Sequence, residues 1–259
     1  MIVGPTAVGK TELSIRLAER LNGEIVSMDS RLIYRGMDIG TAKPTLQDRA
    51  RVPHHMIDLA NPDETWSLAL FRREALKEVD GILDRGRLPI LVGGTGQYVR
   101  ALMEGWIIPP QEPDDELRIE LEVWGTEIGA SALHRRLAIL DPAAAQMIEP
   151  SNLRRTVRAL EVIFRTGVKF SDQRRKETPG YEFSVIGLNR PRAELYQRVD
   201  ARIEQMFADG FLLEVEKLLS EGYSEANPAL SAIGYHECIE VLRGAMSLEE
   251  AKVQLRRKT

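Results

Sequence analysis

Apolar positions along the chain fall into two alternating periods. Residues 11–21 place Leu13, Leu17 and Leu21 at helical spacing and run into Asn22-Gly23, a helix stop. Residues 24–28 are short, mainly apolar and end at Asp29-Ser30, which predicts a buried strand; residues 2–4 predict another. Helical spacing returns over 68–84, with Leu68, Phe71, Ala75, Val79 and Leu83 facing inward. A second buried strand over 88–92 then closes on Gly93-Gly94-Thr95-Gly96. Strands alternating with helices, with glycine turns at strand ends, predict an α/β fold built on a parallel sheet flanked by helices.

The second half is patterned differently. Residues 107–115 read as a linker from their prolines and acids, and residues 116–166 are helical in pattern with no strand candidate. Strand character returns over 181–188. Residues 193–220 follow as one long amphipathic helix, with Leu195, Val199, Ile203, Met206 and Phe207 along a face. The expected organisation is therefore a core in two parts, 1–113 and 181–259, around an all-helical insertion at 114–180. The last residues, Arg256-Arg257-Lys258-Thr259, bring no helix cap, so a C-terminally truncated chain is expected.

The chemistry begins at residue 4. Gly4, Pro5, Thr6, Ala7, Val8, Gly9, Lys10 and Thr11 satisfy the phosphate-loop pattern G-x-x-x-x-G-K-[ST] between a strand and a helix, so the core is P-loop NTPase-like. The glycines let backbone N–H groups curl inward, the helix adds its positive end, Lys10 adds a point charge, and the Thr11 hydroxyl is placed to ligate Mg²⁺. This predicts a bound polyphosphate without saying which. Ligands of such sheets collect beyond the carboxyl ends of the strands, so Asp29 and Thr95 are expected in the same crevice.

Composition narrows the classes. The 259 residues carry a single cysteine, Cys238, which excludes an intramolecular disulfide framework. No apolar run approaches the length of a membrane span and no signal-peptide pattern opens the chain, so a cytoplasmic protein without a membrane role is expected. The net charge of −4 argues against coating nucleic acid through overall charge. One stretch departs from that average: residues 151–176 hold eight basic side chains against two acids. Such a run is either a solvated helix face or an anion-binding surface.

Other side chains leave alternatives open. Asp29 can accept a proton or hold a magnesium ion, or merely close an Asx turn, and Thr95 can approach a ligand or cap a helix. Arg198 and Arg202 lie one turn apart and suit a diphosphate, although pairing with Glu194 fits the spacing equally; Arg192 is similarly ambiguous. His54-His55 with Asp58 makes a poor metal site because adjacent residues rarely share an ion, and Trp66, Trp106 and Trp124 suit packing better than base stacking.

Together the segments GPTAVGKT (4–11), DSRLIYRGMDIGTAKP (29–44), HHMIDL (54–59), LPILVGGTGQY (88–98), RRTVRALEV (154–162) and IGYHE (233–237) resemble, in order and spacing, the tRNA dimethylallyltransferase (tRNA isopentenyltransferase) family. The resemblance implies that dimethylallyl diphosphate sits on the phosphate loop. The N6 amine of the adenine just 3′ of the anticodon would then attack the allylic carbon and release pyrophosphate. Asp29 matches the base; Lys10, Mg²⁺ on Thr11, Arg202 and Arg198 would steady the leaving diphosphate, and Thr95 matches a position near the adenine. It further implies tRNA contacts from Asp29, Ser30, Arg31, Leu32, Thr95 and, on the insertion, Arg118, Arg154, Arg155 and Arg158. The adenine must leave its stack, so contacts with the anticodon stem-loop must offset that cost. A monomer is expected, since one adenine per tRNA needs one pocket. The chain departs from many relatives at Leu32, Ser231 and His236, where glutamine or basic residues are common, which weakens or replaces some RNA contacts. A P-loop kinase with Asp29 as base toward a hydroxyl and the insertion as lid is the alternative.

Overall fold

The computed structural model describes residues 1–107, 114–173 and 175–259. Most of the proline-rich stretch expected as a linker, and Arg174 of the basic run, lie outside the described residues. Two compact units emerge: residues 1–103 with 181–259, and residues 104–180.

The larger unit begins with β1 (Ile2–Val3), α1 (Lys10–Leu21), β2 (Gly23–Ser27), α2 (Leu46–Arg51), β3 (His54–His55), α3 (Leu68–Asp84), β4 (Leu88–Gly93) and α4 (Gly96–Met103). The smaller contains β5 (Trp106–Ile107), α5 (Asp115–Ile128), α6 (Ala130–Leu140), α7 (Pro142–Met147), α8 (Leu153–Thr166) and β6 (Arg175–Lys176). The chain returns to the larger unit through β7 (Ile186–Gly187), α9 (Arg192–Ala208), α10 (Phe211–Ser220), α11 (Tyr235–Leu242) and α12 (Leu248–Lys258).

Among the described residues the larger unit has a five-stranded sheet in the order β3-β2-β4-β1-β7, and every pairing is parallel. Strand β2 is buried along its whole length, as a strand covered on both faces must be. One apolar cluster contains Val26, Met28, Phe71, Ala75, Val79 and Leu91 together with Ile203, Met206, Phe211 and Tyr235; a second holds Ile2, Ile15, Ala18, Ile25 and Ile90. No helix among the described residues is long and apolar enough to cross a membrane.

Several local expectations are corrected. On α3 the inward position is Ile82, fully buried, while Leu83 is 45% exposed, because the 3.6-residue period that runs through Phe71, Ala75 and Val79 reaches residue 82. The long helix expected over 193–220 is two helices: Gly210 takes a left-handed φ of 98°, ends α9 and turns Phe211 into the core against Tyr235. The expected strand over 181–188 pairs only at Ile186 and Gly187, because its partner β1 offers two residues before the chain turns into the phosphate loop. Helix α2 carries a capping box, Thr45 with Asp48, a signal present in the sequence that the pattern of apolar residues hides.

In the smaller unit the four helices of the insertion enclose Leu121, Leu133, Leu137, Val157 and Leu160. The unit starts at Glu104, ahead of the expected boundary at 114, because Trp106 and Ile107 form an antiparallel ribbon with Arg175 and Lys176. Trp66 packs against the larger core, Trp106 donates from Nε1 to Glu104, and Trp124 is partly exposed.

The buried Glu24 carboxylate on β2 binds Arg85 (2.7 Å), Arg87 (3.0 Å) and His55 (2.6 Å), and His55 reaches Glu78 through its other nitrogen at 2.8 Å. These partners hold its pKa at about 2, with the Arg85 hydrogen bond the largest cause. His55 is thus a cross-strand tie, and Asp58 binds Lys43 and Arg49, so the residues weighed as a metal site are engaged otherwise. A depressed carboxylate pKa contributes stability above the unfolded value, near 4.5, that is lost as pH falls toward 2. Glu24→Gln is expected to lower stability at pH 7 by about 2 kcal/mol, discounted for the half-exposed arginines, and to flatten the acid limb between pH 4.5 and 2, as read by urea unfolding against pH.

Candidate active site

The phosphate loop joins β1 to α1. Ala7 and Gly9 take positive φ of 62° and 103°, which curls the chain, and the N–H groups of Thr6, Ala7, Val8 and Gly9 donate to no acceptor among the described residues. That is the arrangement of an anion nest at a helix N-terminus. Two arginines pin the loop from outside: Arg198 Nε donates to the Ala7 carbonyl at 2.7 Å and Arg190 Nε to the Val8 carbonyl at 2.9 Å. Lys10 Nζ donates to the Gly4 and Pro5 carbonyls, each at 2.8 Å.

Beyond the strand ends opens a cavity of about 590 Å³, lined by Thr6 through Glu12, Asp29, Leu32, Thr41, Ala42, Val92, Gly93, Arg198, Ala201 and Arg202. The structure therefore brings Thr6, Ala7, Val8, Gly9, Lys10, Thr11, Asp29, Leu32, Arg198 and Arg202 together, as the crevice rule requires. Burial draws the Lys10 ammonium below its ordinary range, with Asp29 opposing and Arg202 reinforcing that shift. Burial likewise draws Arg202 downward against the pull of Asp29. Arg202 makes no hydrogen bond or ion pair with the described residues, so its guanidinium is open to a ligand. The Glu194 pairing weighed for Arg198 is taken by Arg190 instead.

Asp29 Oδ1 accepts from the Arg31 N–H at 2.8 Å, so the Asx turn exists and coexists with a place in the cavity. Thr95 and Ser30 are not among the lining residues; Thr95 Oγ1 accepts from the Ser30 N–H at 3.3 Å and ties the glycine turn to the Asp29 loop. Gly93 makes that approach possible, because a Cβ there would lie 2.2 Å from the Met28 carbonyl oxygen. Arg31 Nη1 donates to the Pro228 carbonyl (3.4 Å) and the Ser231 hydroxyl (3.3 Å), so the small residue at 231 has a partner. The other departing side chain, His236, sits beside Glu225 and Glu240, where Arg243 bridges the two acids.

The 29–44 segment is held by groups that pattern reading missed. Glu214 on α10 accepts from the N–H groups of Asp38 (2.7 Å), Ile39 (2.6 Å) and Gly40 (3.1 Å) and from the Tyr235 hydroxyl (2.7 Å). The buried Lys43 ammonium joins the Tyr34 carbonyl, Asp38 and Asp58 at 2.5 to 2.7 Å. Its acceptors lie 9, 5 and 15 residues away along the chain, so Lys43 ties the 29–44 segment to itself and to the Asp58 turn.

The Thr11 hydroxyl lines the cavity, takes part in no hydrogen bond among the described residues, and faces the same space as Asp29. Oxygen-only donors of this kind fit a hard cation such as Mg²⁺. In the smaller unit, Arg154 and Arg155 are exposed on α8 and unpaired among the described residues. Arg118 and Arg158 converge instead on the buried Glu161 carboxylate, at 3.0 and 2.8 Å.

A parallel sheet that ends in a phosphate loop, faced by a carboxylate and an unpaired arginine, defines a P-loop-like enzyme of phosphate or diphosphate chemistry. The sequence matches the family described as IPP transferase over residues 32–259. It is 52% identical over 258 residues to the tRNA dimethylallyltransferase of Roseiflexus sp. (strain RS-1), covering 100% of this chain and 85% of that one. It is 49% identical to the tRNA dimethylallyltransferase of Thermomicrobium roseum, covering 96% and 76%. The structure resembles that of the tRNA isopentenylpyrophosphate transferase of Bacillus halodurans, with a TM-score of 0.68 at 43% identity over 99% of this chain and 81% of the other. It also resembles a eukaryotic dimethylallyltransferase acting on tRNA, with a TM-score of 0.80 at 28% identity over 99% and 65%. The chain belongs to the IPP transferase family.

Inorganic pyrophosphate titrated by calorimetry is expected to bind at the loop, and Arg202→Ala and Lys10→Ala are each expected to weaken it by about tenfold or more, near 1.4 kcal/mol. Unchanged affinity in both variants would place the anion elsewhere.

Proposed function

We propose that the protein transfers a dimethylallyl group from dimethylallyl diphosphate to the N6 amine of the adenine immediately 3′ of the anticodon of tRNA, releasing pyrophosphate. The observation that carries this is the single cavity in which Asp29 faces the phosphate loop, Lys10 and Arg202. Membership of the family supports the donor and acceptor. The kinase alternative is not favoured, since relatives that match nearly the whole chain are named as prenyl-transferring enzymes.

The residues divide the work. The loop N–H groups and Lys10 hold the diphosphate, and Arg202, with Arg198 behind the loop, offsets the charge that gathers on it as the C1–O bond breaks. An exocyclic amine is a weak nucleophile, so Asp29 takes its proton as the N6–C1 bond forms, and the electron pair of the broken bond leaves with pyrophosphate. Thr95 stays beside the Asp29 loop through Ser30 and contributes to adenine placement. Thr11 would hold Mg²⁺, which when bound supplies further neutralisation of the diphosphate.

For RNA, Arg154 and Arg155 are exposed cations of the basic run that have no partner among the described residues, and they act as phosphate contacts for the anticodon stem-loop. Arg31 and Leu32, next to the base, face the extruded nucleotide. Arg118 and Arg158 contribute by fixing the fold around Glu161, with RNA contact a secondary role. The protein works as a monomer in the cytoplasm, one pocket serving one adenine.

Radiolabelled dimethylallyl diphosphate with unmodified tRNA is expected to label the RNA, and Asp29→Ala to cut kcat by at least about a hundredfold while tRNA binding stays nearly intact. Wild-type turnover in that variant would remove the base from its role. Replacing Arg154 and Arg155 together is expected to reduce the slope of log affinity against log salt by roughly 1.5 to 2; an unchanged slope returns them to a solvated face.

A further inference from the structure

The phosphate-loop cavity and a neighbouring cavity of about 240 Å³ have Thr6, Asp29, Thr41 and Arg202 in common, so these residues stand where the two spaces join. Asp29 and Arg202 already have roles there. Thr41 has none, and its hydroxyl is committed: Oγ1 donates to the Met37 carbonyl at 2.5 Å, four residues back along the chain. A hydroxyl has one hydrogen, so what Thr41 still offers the junction is an acceptor. Its backbone is fixed as well. The preceding residue, Gly40, gives its N–H to Glu214, and a Cβ there would lie 2.2 Å from Phe211 Cε2 and 2.6 Å from the Tyr235 hydroxyl. Residue 40 is therefore pressed against α10 and α11 with no room for a side chain, and Thr41 is presented from that anchored point.

An acceptor selects what it can bind. A diphosphate presents oxygens that accept and do not donate, so it is no direct partner for Thr41. Lys10 and Arg202 are the nearest cations of this space, and among the described residues neither donates to Thr41; Lys10 is turned to the Gly4 and Pro5 carbonyls. The donor that the reaction itself brings is the exocyclic amine of adenine, which carries two N–H bonds. Asp29 spends Oδ1 on the Arg31 N–H and has Oδ2 for one amine hydrogen. The second hydrogen needs an acceptor of its own.

We propose that Thr41 is a further substrate-contacting residue, whose Oγ1 accepts the second N6–H of the target adenine while Asp29 accepts the first. The proposal rests on the transferase reading above. Two hydrogen bonds in the plane of the purine hold the amino group flat and leave the face of N6 open to the allylic carbon. As the N6–C1 bond forms and the C1–O bond breaks, the first proton passes to Asp29 and the electron pair of C1–O leaves with pyrophosphate. The second hydrogen stays on N6, bound to Thr41.

The test measures transfer from labelled dimethylallyl diphosphate to unmodified tRNA, with the affinity for pyrophosphate and Mg²⁺ by calorimetry as second readout. Thr41→Val, close in shape but without the hydroxyl, is expected to lower kcat by about tenfold or more. KM for tRNA and pyrophosphate affinity are expected to change by less than about threefold, and Thr41→Ser to recover kcat to within about threefold of wild type. Unchanged kcat in Thr41→Val overturns the proposal. An equal loss of pyrophosphate affinity overturns it too, because Thr41 would then serve the diphosphate or its metal, and so does a failure of Thr41→Ser to recover kcat. An anticodon stem-loop with N6-methyladenine at the target position, which keeps one N–H, tests the contact from the substrate side. Wild-type protein is expected to prefer adenine by at least about thirtyfold in kcat/KM, and Thr41→Ala, which removes the acceptor and makes room for the methyl, to shrink that preference by about tenfold. The same preference in both proteins overturns the proposal even where Thr41→Val fails to fold. Wild-type protein that labels no RNA overturns the transferase reading beneath it, a result distinct from labelling with unchanged kcat.

Discussion

Two positive charges, Lys10 and Arg202, are drawn partly out of water in one cavity with the carboxylate of Asp29, and the rest of the site follows from that arrangement. Neither cation is comfortable there: burial lowers both, and Asp29 only partly compensates. A diphosphate brings the missing negative charge. The parallel sheet makes this geometry available, because the carboxyl ends of β1, β2 and β4 present the phosphate loop, Asp29 and the Gly93 turn to a shared space.

Two buried cations this close must be held by their surroundings, and the contacts around the cavity are correspondingly dense. Arg190 and Arg198 grip the outer carbonyls of the phosphate loop. Glu214 takes three consecutive backbone N–H groups of the segment that carries Thr41, and Lys43 closes the same segment from its buried side. Thr41 itself donates its hydroxyl to the Met37 carbonyl within the same segment. The smaller unit repeats the economy: Glu161, buried, is satisfied by Arg118 and Arg158, while Arg154 and Arg155 of α8 stay exposed and unpaired among the described residues.

Much of this was legible in the residues. The phosphate loop, the carboxylate one strand away and the glycine turn after β4 each carry a local signature, and parallel-sheet topology predicts their convergence. What could not be read was long-range. Ile82 rather than Leu83 faces the core because helical period accumulates over α3. The break at Asp209-Gly210 hid inside a continuous amphipathic pattern, since a single glycine in a helix is tolerated until tertiary packing, here Phe211 against Tyr235, selects the left-handed turn. Glu214 carries no local signature of its role, and Arg118 and Arg158 stood with Arg154 and Arg155 as RNA contacts. For Glu214 and Arg118 the partners lie far away in sequence, while Arg158 meets Glu161 one helical turn on, a pairing its spacing allows but does not compel.

Prenyl transfer by this site requires that one cavity hold the donor diphosphate against the loop with its reactive carbon turned toward Asp29. The most direct measurement is a crystal structure of the protein with Mg²⁺ and dimethylallyl thiolodiphosphate. The diphosphate is expected on the N–H groups of residues 6–9, contacted by Lys10 and Arg202, with the allylic carbon facing the Asp29 carboxylate. Diphosphate bound away from this loop, or an allylic carbon screened from Asp29, would contradict it.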